Sequence, residues 1–170
     1  MTPSRRPDTD HHIYITKSCD ETIALGRELA ELLRPPKVII LRGDLGAGKT
    51  TLVKGIAAAL GAAEPEEVTS PTFTLIHEYA GRAIEPKSES SNLGDTVLLY
   101  HLDLYRIEDQ RQLNTVGIED LITPQSLLLI EWGEKFPSIL ALSDGEIAIE
   151  TRQDDERKMT VVLREAIARK

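Results

Sequence analysis

A largely apolar run that leads directly into a glycine-rich loop constrains this chain most. Residues 37–41 read KVIIL, and residues 43–50 read GDLGAGKT, which fits the pattern GxxxxGK[ST]. A helical pattern follows and ends at Gly61. A strand, a loop of this kind and a helix in that order are typical of a phosphate-binding loop. The glycines let backbone N–H groups turn toward phosphate, and the helix N-terminus adds partial positive charge.

The residue types of this loop predict a role for its side chains. Lys49 is expected to reach the β- and γ-phosphates of a nucleotide, and Thr50 to ligate Mg²⁺. The residues expected to surround the phosphates are Leu45, Gly46, Ala47, Gly48, Lys49, Thr50 and Thr51. The chain contains no NKxD segment, whose aspartate reads guanine in small GTPases. ATP is therefore the expected nucleotide.

Two acids close apolar runs and are candidates for the metal site opposite the loop. Glu131 follows LLLI at residues 127–130, and Asp103 ends the sequence LLYHLD at residues 98–103. The carboxyl ends of parallel strands form the ligand-binding edge of an α/β sheet. We assign Glu131 to Mg²⁺, and Asp103 to orienting a metal-bound water or polarising the attacking water. The reverse assignment, or an ordinary helix cap for either acid, remains an alternative.

Three side chains beside these acids allow a functional and a structural interpretation. His101 lacks the further ligands of a zinc site, which favours a structural or water-bound role. Arg106 is either an internal arginine finger or a salt-bridge partner of a nearby acid, and the salt bridge is favoured. Trp132, the single tryptophan, either stacks on a partner or fills the core, and ordinary burial preferences favour the core.

Two polar segments lie between the loop and these acids. Residues 69–74, TSPTFT, place four hydroxyl side chains around a proline, and we call them the hydroxyl segment. Their composition alone is typical of a surface loop. Residues 80–95 are rich in Gly, Ser and Asn and predict an inserted loop or hairpin extension without chemistry of its own.

The pattern over residues 1–170 predicts one α/β domain, with a flexible tail at residues 1–10. We expect a three-layer P-loop NTPase fold with a mostly parallel central sheet. After Gly133 the pattern becomes β-rich, which predicts antiparallel strands toward the C-terminal part.

Composition limits the partners and the compartment. The formal net charge of −8 disfavours autonomous binding of nucleic acid, because most of the surface repels polyanions. A single cysteine, Cys19, excludes a disulfide framework within one chain. No apolar run approaches the roughly 20 residues of a membrane helix, and the first ten residues lack the apolar core of a signal peptide. We therefore expect a cytoplasmic protein without membrane contact.

Four motifs in this order closely resemble the TsaE family, also called YjeE. They are GDLGAGKTTLVKG at residues 43–55, TSPTFTLIHEY at residues 69–79, YHLDLYRI at residues 100–107 and LIEWGEKFP at residues 129–137. The resemblance implies a bacterial P-loop ATPase required for the threonylcarbamoyl modification of the adenosine beside the anticodon, in tRNAs reading codons that begin with A. It also implies TsaD, which carries the transfer site, and TsaB as partners, with low ATPase activity in their absence and tRNA contacted mainly through them.

The resemblance also implies roles for individual residues. It places Lys49 on the phosphates, Thr50 and Glu131 on Mg²⁺, and Asp103 in the catalytic centre. It makes the hydroxyl segment, with Thr69, Ser70 and Thr72, switch-like near the γ-phosphate, and Trp132 a functional neighbour. It places the base of ATP near Cys19, Glu156 and Arg157. We expect the hydroxyl segment to order on ATP and to loosen after hydrolysis.

Two other functions remain as alternatives. A stand-alone small-molecule kinase would place the phosphate loop on its first strand and carry an arginine-rich lid, which Arg152 and Arg157 could imitate. Here a predicted strand and helix precede the loop. A nucleotide-binding adaptor without hydrolysis would not need the two strand-end acids.

Overall fold

The computed structural model of the protein describes residues 9–84 and 96–164. The predicted tail at residues 1–10 therefore lies almost entirely outside the described residues. Of the predicted insertion at residues 80–95, only the first five residues are described, and the first three of them continue a strand. Within the described ranges, no helix combines the length and apolar character needed to cross a bilayer.

A mixed sheet of seven strands forms the centre of the fold, in the order β1-β7-β6-β2-β5-β4-β3. The strands are β1 (Asp10–Thr16), β2 (Lys37–Arg42), β3 (Ile76–Arg82), β4 (Thr96–Asp103), β5 (Ser126–Glu131), β6 (Gly145–Thr151) and β7 (Arg157–Leu163). The central strands β6, β2, β5 and β4 are parallel. The mostly parallel centre is confirmed, and antiparallel strands flank it on both edges: β7 and β1 on one side, β3 on the other.

Helices cover both faces of the sheet and give the expected layers. They are α1 (Cys19–Leu32), α2 (Lys49–Ala59), α3 (Gln110–Val116), α4 (Ile118–Leu121) and α5 (Pro137–Leu142). Side chains of α1 and α2 form one core cluster with the sheet, and those of α3, α4 and α5 form a second cluster on the opposite face. The short α5 was not predicted, because six residues carry too little periodicity to stand out in a β-rich stretch.

Two glycines let α1 and α2 cross at very short distance. A Cβ atom on Gly55 would overlap the carbonyl oxygen of Ile23, and it would lie 2.9 Å from Cα of Gly26. Since interiors are close-packed, side chains at these positions would force the helices apart. This contact fixes α2, and with it the loop that precedes α2, against the rest of the fold.

Candidate functional site

The loop between β2 and α2 has the backbone conformation of an anion-binding loop. Gly46 and Gly48 have φ angles of 78° and 110°, in the left-handed region that favours glycine. A Cβ atom at either position would meet nothing within 4 Å, so conformation and not crowding requires glycine there. Gly48 caps α2 without a side-chain hydrogen bond. The first N–H groups of α2 are therefore available to a phosphate.

The Lys49 ammonium group lies over this loop. Nζ donates hydrogen bonds to the carbonyl oxygens of Gly43 and, at 3.4 Å, of Asp44. It also lies 4.7 Å from the ring centroid of Trp132. A buried ammonium held by carbonyl oxygens and an aromatic face supplies a positive charge directly at the glycine loop.

Strand alternation brings the two candidate acids to the face of the sheet that carries α2. Leu99 of β4 and Leu129 of β5 belong to the core cluster of α1 and α2. Because side chains two residues apart in a strand share a face, Asp103 and Glu131 point to the same side. The two acids are direct register partners in the parallel β4–β5 pair, and both are buried. The structure thus brings them together at the carboxyl edge of the sheet.

Glu131 has a buried histidine as its partner. Nε2 of His101 lies 2.8 Å from Oε1 of Glu131. No described residue forms a hydrogen bond with the second carboxylate oxygen of Glu131, nor with Nδ1 of His101. The structural role expected for His101 can therefore be described. Its imidazole holds one carboxylate oxygen of Glu131, the candidate metal ligand, and leaves the other oxygen open.

Asp103 is held by the hydroxyl segment and by the following loop. Thr72 Oγ1 donates to Oδ2 at 3.0 Å, and the backbone N–H of Tyr105 donates to Oδ1 at 2.9 Å. The backbone N–H of Asp103 donates to the carbonyl oxygen of Leu75 at 3.0 Å. Ser70 Oγ lies 2.9 Å from Thr72 Oγ1. Both oxygens of Asp103 are thus committed to the protein, in contrast to those of Glu131.

The residues fit a magnesium ion held largely by phosphate and water. Thr50 is the second residue of α2 and offers a hydroxyl oxygen, while Glu131 offers the open carboxylate oxygen. Mg²⁺ takes oxygen ligands and is typically bound through one or two protein groups together with substrate phosphates. Within the described ranges, no group of three or more His, Cys, Asp or Glu side chains could hold a metal.

A cleft of about 430 Å³ adjoins the loop between the start of α1 and the start of β7. Cys19, Gly46 and Arg157 line it, and Nε of Arg157 donates to the carbonyl oxygen of Ala47 at 3.0 Å. The structure thus brings together two of the three residues predicted near the base. The third, Glu156, does not line the cleft, and its neighbour Asp155 does. The carboxylate of Glu156 lies 3.7 Å from the guanidinium group of Arg152.

Arg106 lacks the favoured salt bridge among the described residues, and Trp132 lies at the edge of the core instead of filling it. Among the described residues Arg106 forms no salt bridge, and its guanidinium carbon lies 4.2 Å from the ring centroid of the exposed Phe73. Trp132 packs on the edge of a core cluster but lies between Lys49 and Tyr105, whose ring centroid is 5.3 Å away. It has a φ angle of 62°, and its buried indole N–H has no partner in the described part of the chain. Such backbone strain concentrates at functional sites.

Comparisons with known proteins agree with one another. The family model for Threonylcarbamoyl adenosine biosynthesis protein TsaE matches residues 16–159. The tRNA threonylcarbamoyladenosine biosynthesis protein TsaE of Treponema pallidum (strain Nichols) is 34% identical over 147 residues, covering 86% of this chain and 97% of that protein. Its Bacillus subtilis (strain 168) counterpart is 38% identical over 146 residues, with coverage of 85% and 81%. The crystal structure of Bacillus subtilis YdiB is similar with a TM-score of 0.64 and 31% identity, covering 92% of this chain and 87% of that chain.

Proposed function

The chain belongs to the TsaE family, and we propose that it is a Mg²⁺-dependent ATPase required for threonylcarbamoyladenosine formation in tRNA. TsaD and TsaB are the proposed partners, and tRNAs reading codons that begin with A are the proposed targets. One observation carries the hydrolytic part of this proposal. Asp103 and Glu131 lie side by side, buried, on the face of the sheet that also carries the glycine loop and α2. A protein that only bound nucleotide would not need both acids.

Each group of the site has a proposed task. Lys49 exchanges the carbonyl oxygens of Gly43 and Asp44 for the phosphates of ATP. Thr50 and the open oxygen of Glu131 would hold Mg²⁺, and the bound ion would neutralise negative charge on the phosphates. Each oxygen of Asp103 accepts one hydrogen bond from the protein and can accept a second one, so Asp103 can also accept from the attacking water and orient it toward the terminal phosphate.

The cleft beside α1 and β7 is the proposed site of the nucleoside. Cys19 and Arg157 line it next to the loop glycines, so a nucleotide whose phosphates occupy the loop can extend into it. The Arg157 guanidinium group is already held against the loop by the carbonyl oxygen of Ala47. We expect a slow ATPase in isolation, because partner proteins complete the catalytic cycle.

The acidic composition supports a proposal in which the partner proteins, and not this chain, bind the tRNA. With a formal net charge of −8, the chain is poorly suited to hold tRNA, and we assign that contact to the partner proteins. The ATPase then acts by changing conformation within the assembly, in the cytoplasm where tRNA is modified.

Phosphate release from ATP, measured for the protein alone and with TsaD and TsaB, tests the proposal. We expect Lys49→Ala and Glu131→Ala to abolish release, and Lys54→Ala, elsewhere on α2, to leave it unchanged. Unchanged release in the first two variants would overturn the site assignment. Phosphate on an added metabolite would indicate a kinase, and tight ATP binding without release, even with both partners, would indicate an adaptor.

Hydrogen exchange tests the switch-like behaviour of the hydroxyl segment. Thr72 contacts Asp103, so a change at the terminal phosphate can reach this segment directly. We expect its amides to be more protected with a non-hydrolysable ATP analogue than with ADP. Equal protection with the analogue, with ADP and without nucleotide would contradict the hypothesis.

A further inference from the structure

One imidazole ring contacts both ends of the hydroxyl segment. Nδ1 of His77 lies 3.2 Å from the carbonyl oxygen of Thr69, and Nε2 lies 2.9 Å from Oγ1 of Thr74. A carbonyl oxygen can only accept, so Nδ1 carries the proton of this contact. In the neutral ring Nε2 then accepts from the hydroxyl group of Thr74. The single side chain therefore joins the first and last residues of a six-residue segment.

The ring itself is held on the sheet. His77 belongs to β3 and is the register partner of His101 in β4, which contacts Glu131. The ring of Tyr79 meets the imidazole nearly edge-on, with 6.2 Å between centroids, and its hydroxyl oxygen lies 3.3 Å from Nδ1. Burial raises the pKa of the Tyr79 hydroxyl, and because Nδ1 carries a proton, the Tyr79 oxygen can only accept from that N–H. The half-buried ring is thus held by contacts with Tyr79 on its own strand as well as by those with the hydroxyl segment.

The chain held by His77 has a conformation that its sequence does not favour. Leu75, the residue after the segment, has a φ angle of 67°, and its N–H donates to the carbonyl oxygen of Pro71 at 2.8 Å. A left-handed conformation costs a non-glycine residue about 1 kcal/mol or more. Such a turn persists only where its surroundings hold it, and the contacts of His77 supply part of that restraint.

The restrained turn is the element that aligns Asp103. Its Thr72 hydroxyl donates to Oδ2 of Asp103, and its Leu75 carbonyl oxygen accepts from the backbone N–H of Asp103. We infer that His77 is a positioning residue for ATP hydrolysis, which holds the hydroxyl segment so that Thr72 orients Asp103. Among the described residues, His77 forms no hydrogen bond with a loop glycine, so it acts through the segment. Its effect on turnover rests on the ATPase function proposed above, whereas its effect on the segment does not.

Steady-state kinetics with TsaD and TsaB present tests the effect on turnover. We expect His77→Ala to lower kcat between about 10-fold and about 100-fold, because misplacing a catalytic group from a distance can cost that much. KM and the nucleotide affinity should change less than about twofold, since the phosphate loop is untouched. His11→Ala, an exposed histidine on β1, is the matched control and should behave as the parent protein.

Conservative variants separate the two contacts and remain informative if His77→Ala folds poorly. His77→Asn places a donor near Thr69, and His77→Gln places an amide near Thr74, so each should restore part of kcat. Thr74→Val should lower kcat in the parent protein and have little further effect in His77→Ala. Additive losses, an unchanged kcat in the folded variants, or a loss confined to KM would overturn the inference.

Hydrogen exchange without nucleotide supplies a readout independent of catalysis. We expect the Leu75 amide, which donates to Pro71, to exchange at least about tenfold faster in His77→Ala. If the parent protein releases no phosphate but this protection is lost, the ATPase function fails while the restraint by His77 stands. Unchanged protection would overturn the role of His77 whatever the ATPase activity.

Discussion

Nε2 of His101 lies 2.8 Å from Oε1 of Glu131, with both side chains buried at the carboxyl edge of the sheet. The imidazole thus takes one of the two carboxylate oxygens and leaves the other without a hydrogen-bond partner among the described residues, free to hold the proposed metal. A histidine that holds a metal-binding carboxylate in place fixes both its direction and its basicity. The contact also links β4 to β5, and Glu131 is at the same time the register partner of Asp103.

Replacing His101 by leucine should destabilise the fold and disturb the metal site together. The Glu131 carboxylate would lose its donor in a buried place, which costs about 2 kcal/mol in the free energy of unfolding. His101→Gln keeps a donor and should lose less. Urea denaturation checks the first effect, and the Mg²⁺ concentration for half-maximal phosphate release checks the second. Parent-like stability and Mg²⁺ dependence of His101→Leu would contradict this role.

A magnesium titration should distinguish the roles of Asp103 and Glu131. Glu131→Gln weakens a metal ligand, so we expect the Mg²⁺ concentration for half-maximal activity to rise by about tenfold or more. Asp103→Asn changes a group whose oxygens are already occupied by Thr72 and Tyr105. It should lower kcat by about 100-fold, within the usual range for loss of a general base, with little change in Mg²⁺ dependence. The opposite pattern would reverse the two assignments.

Local chemistry explains why the phosphate loop could be predicted from sequence. The strand, the glycines and the helix start are neighbours in the chain, and each residue type there serves a backbone or phosphate requirement of its own. The strand-end positions of Asp103 and Glu131 could be predicted as well, because alternation and parallel pairing determine where a strand-end side chain points. Each strand end is thus placed by its own sequence pattern, and the pairing of β4 with β5 then brings the two acids together.

The polar contacts around the acids could not be predicted, because they depend on strand order and on loop packing. Thr72 reaches Asp103 across 31 positions of sequence, and His101 reaches Glu131 across 30. Arg106 lies over Phe73 although acids are near in sequence, since a neighbouring loop presents the ring. Pairing of this kind is a property of the folded structure and leaves no spacing signal in the chain.

Trp132 should report nucleotide binding through Lys49. The ammonium group lies 4.7 Å from the ring centroid and must leave this position to reach the phosphates. Removing a cation from an indole face changes its fluorescence environment, and the chain has a single tryptophan. We expect ATP and ADP to change the emission intensity or wavelength, and Lys49→Met to change the nucleotide-free spectrum. Identical spectra with and without saturating nucleotide would contradict this coupling.

Gly55→Ala should destabilise the fold from outside the site. The added Cβ atom would overlap the carbonyl oxygen of Ile23, and a backbone atom cannot move aside as a side chain can. The helix propensity of alanine recovers only about 1 kcal/mol, so we expect a net loss of about 2 kcal/mol in the free energy of unfolding. Glu28→Ala, on the exposed face of α1, is the control and should stay within about 0.5 kcal/mol. Because the phosphate loop leads into α2, nucleotide affinity measured on the folded fraction should also fall. Equal stability of the two variants in urea would contradict this prediction, since it would show that the helices can separate without cost.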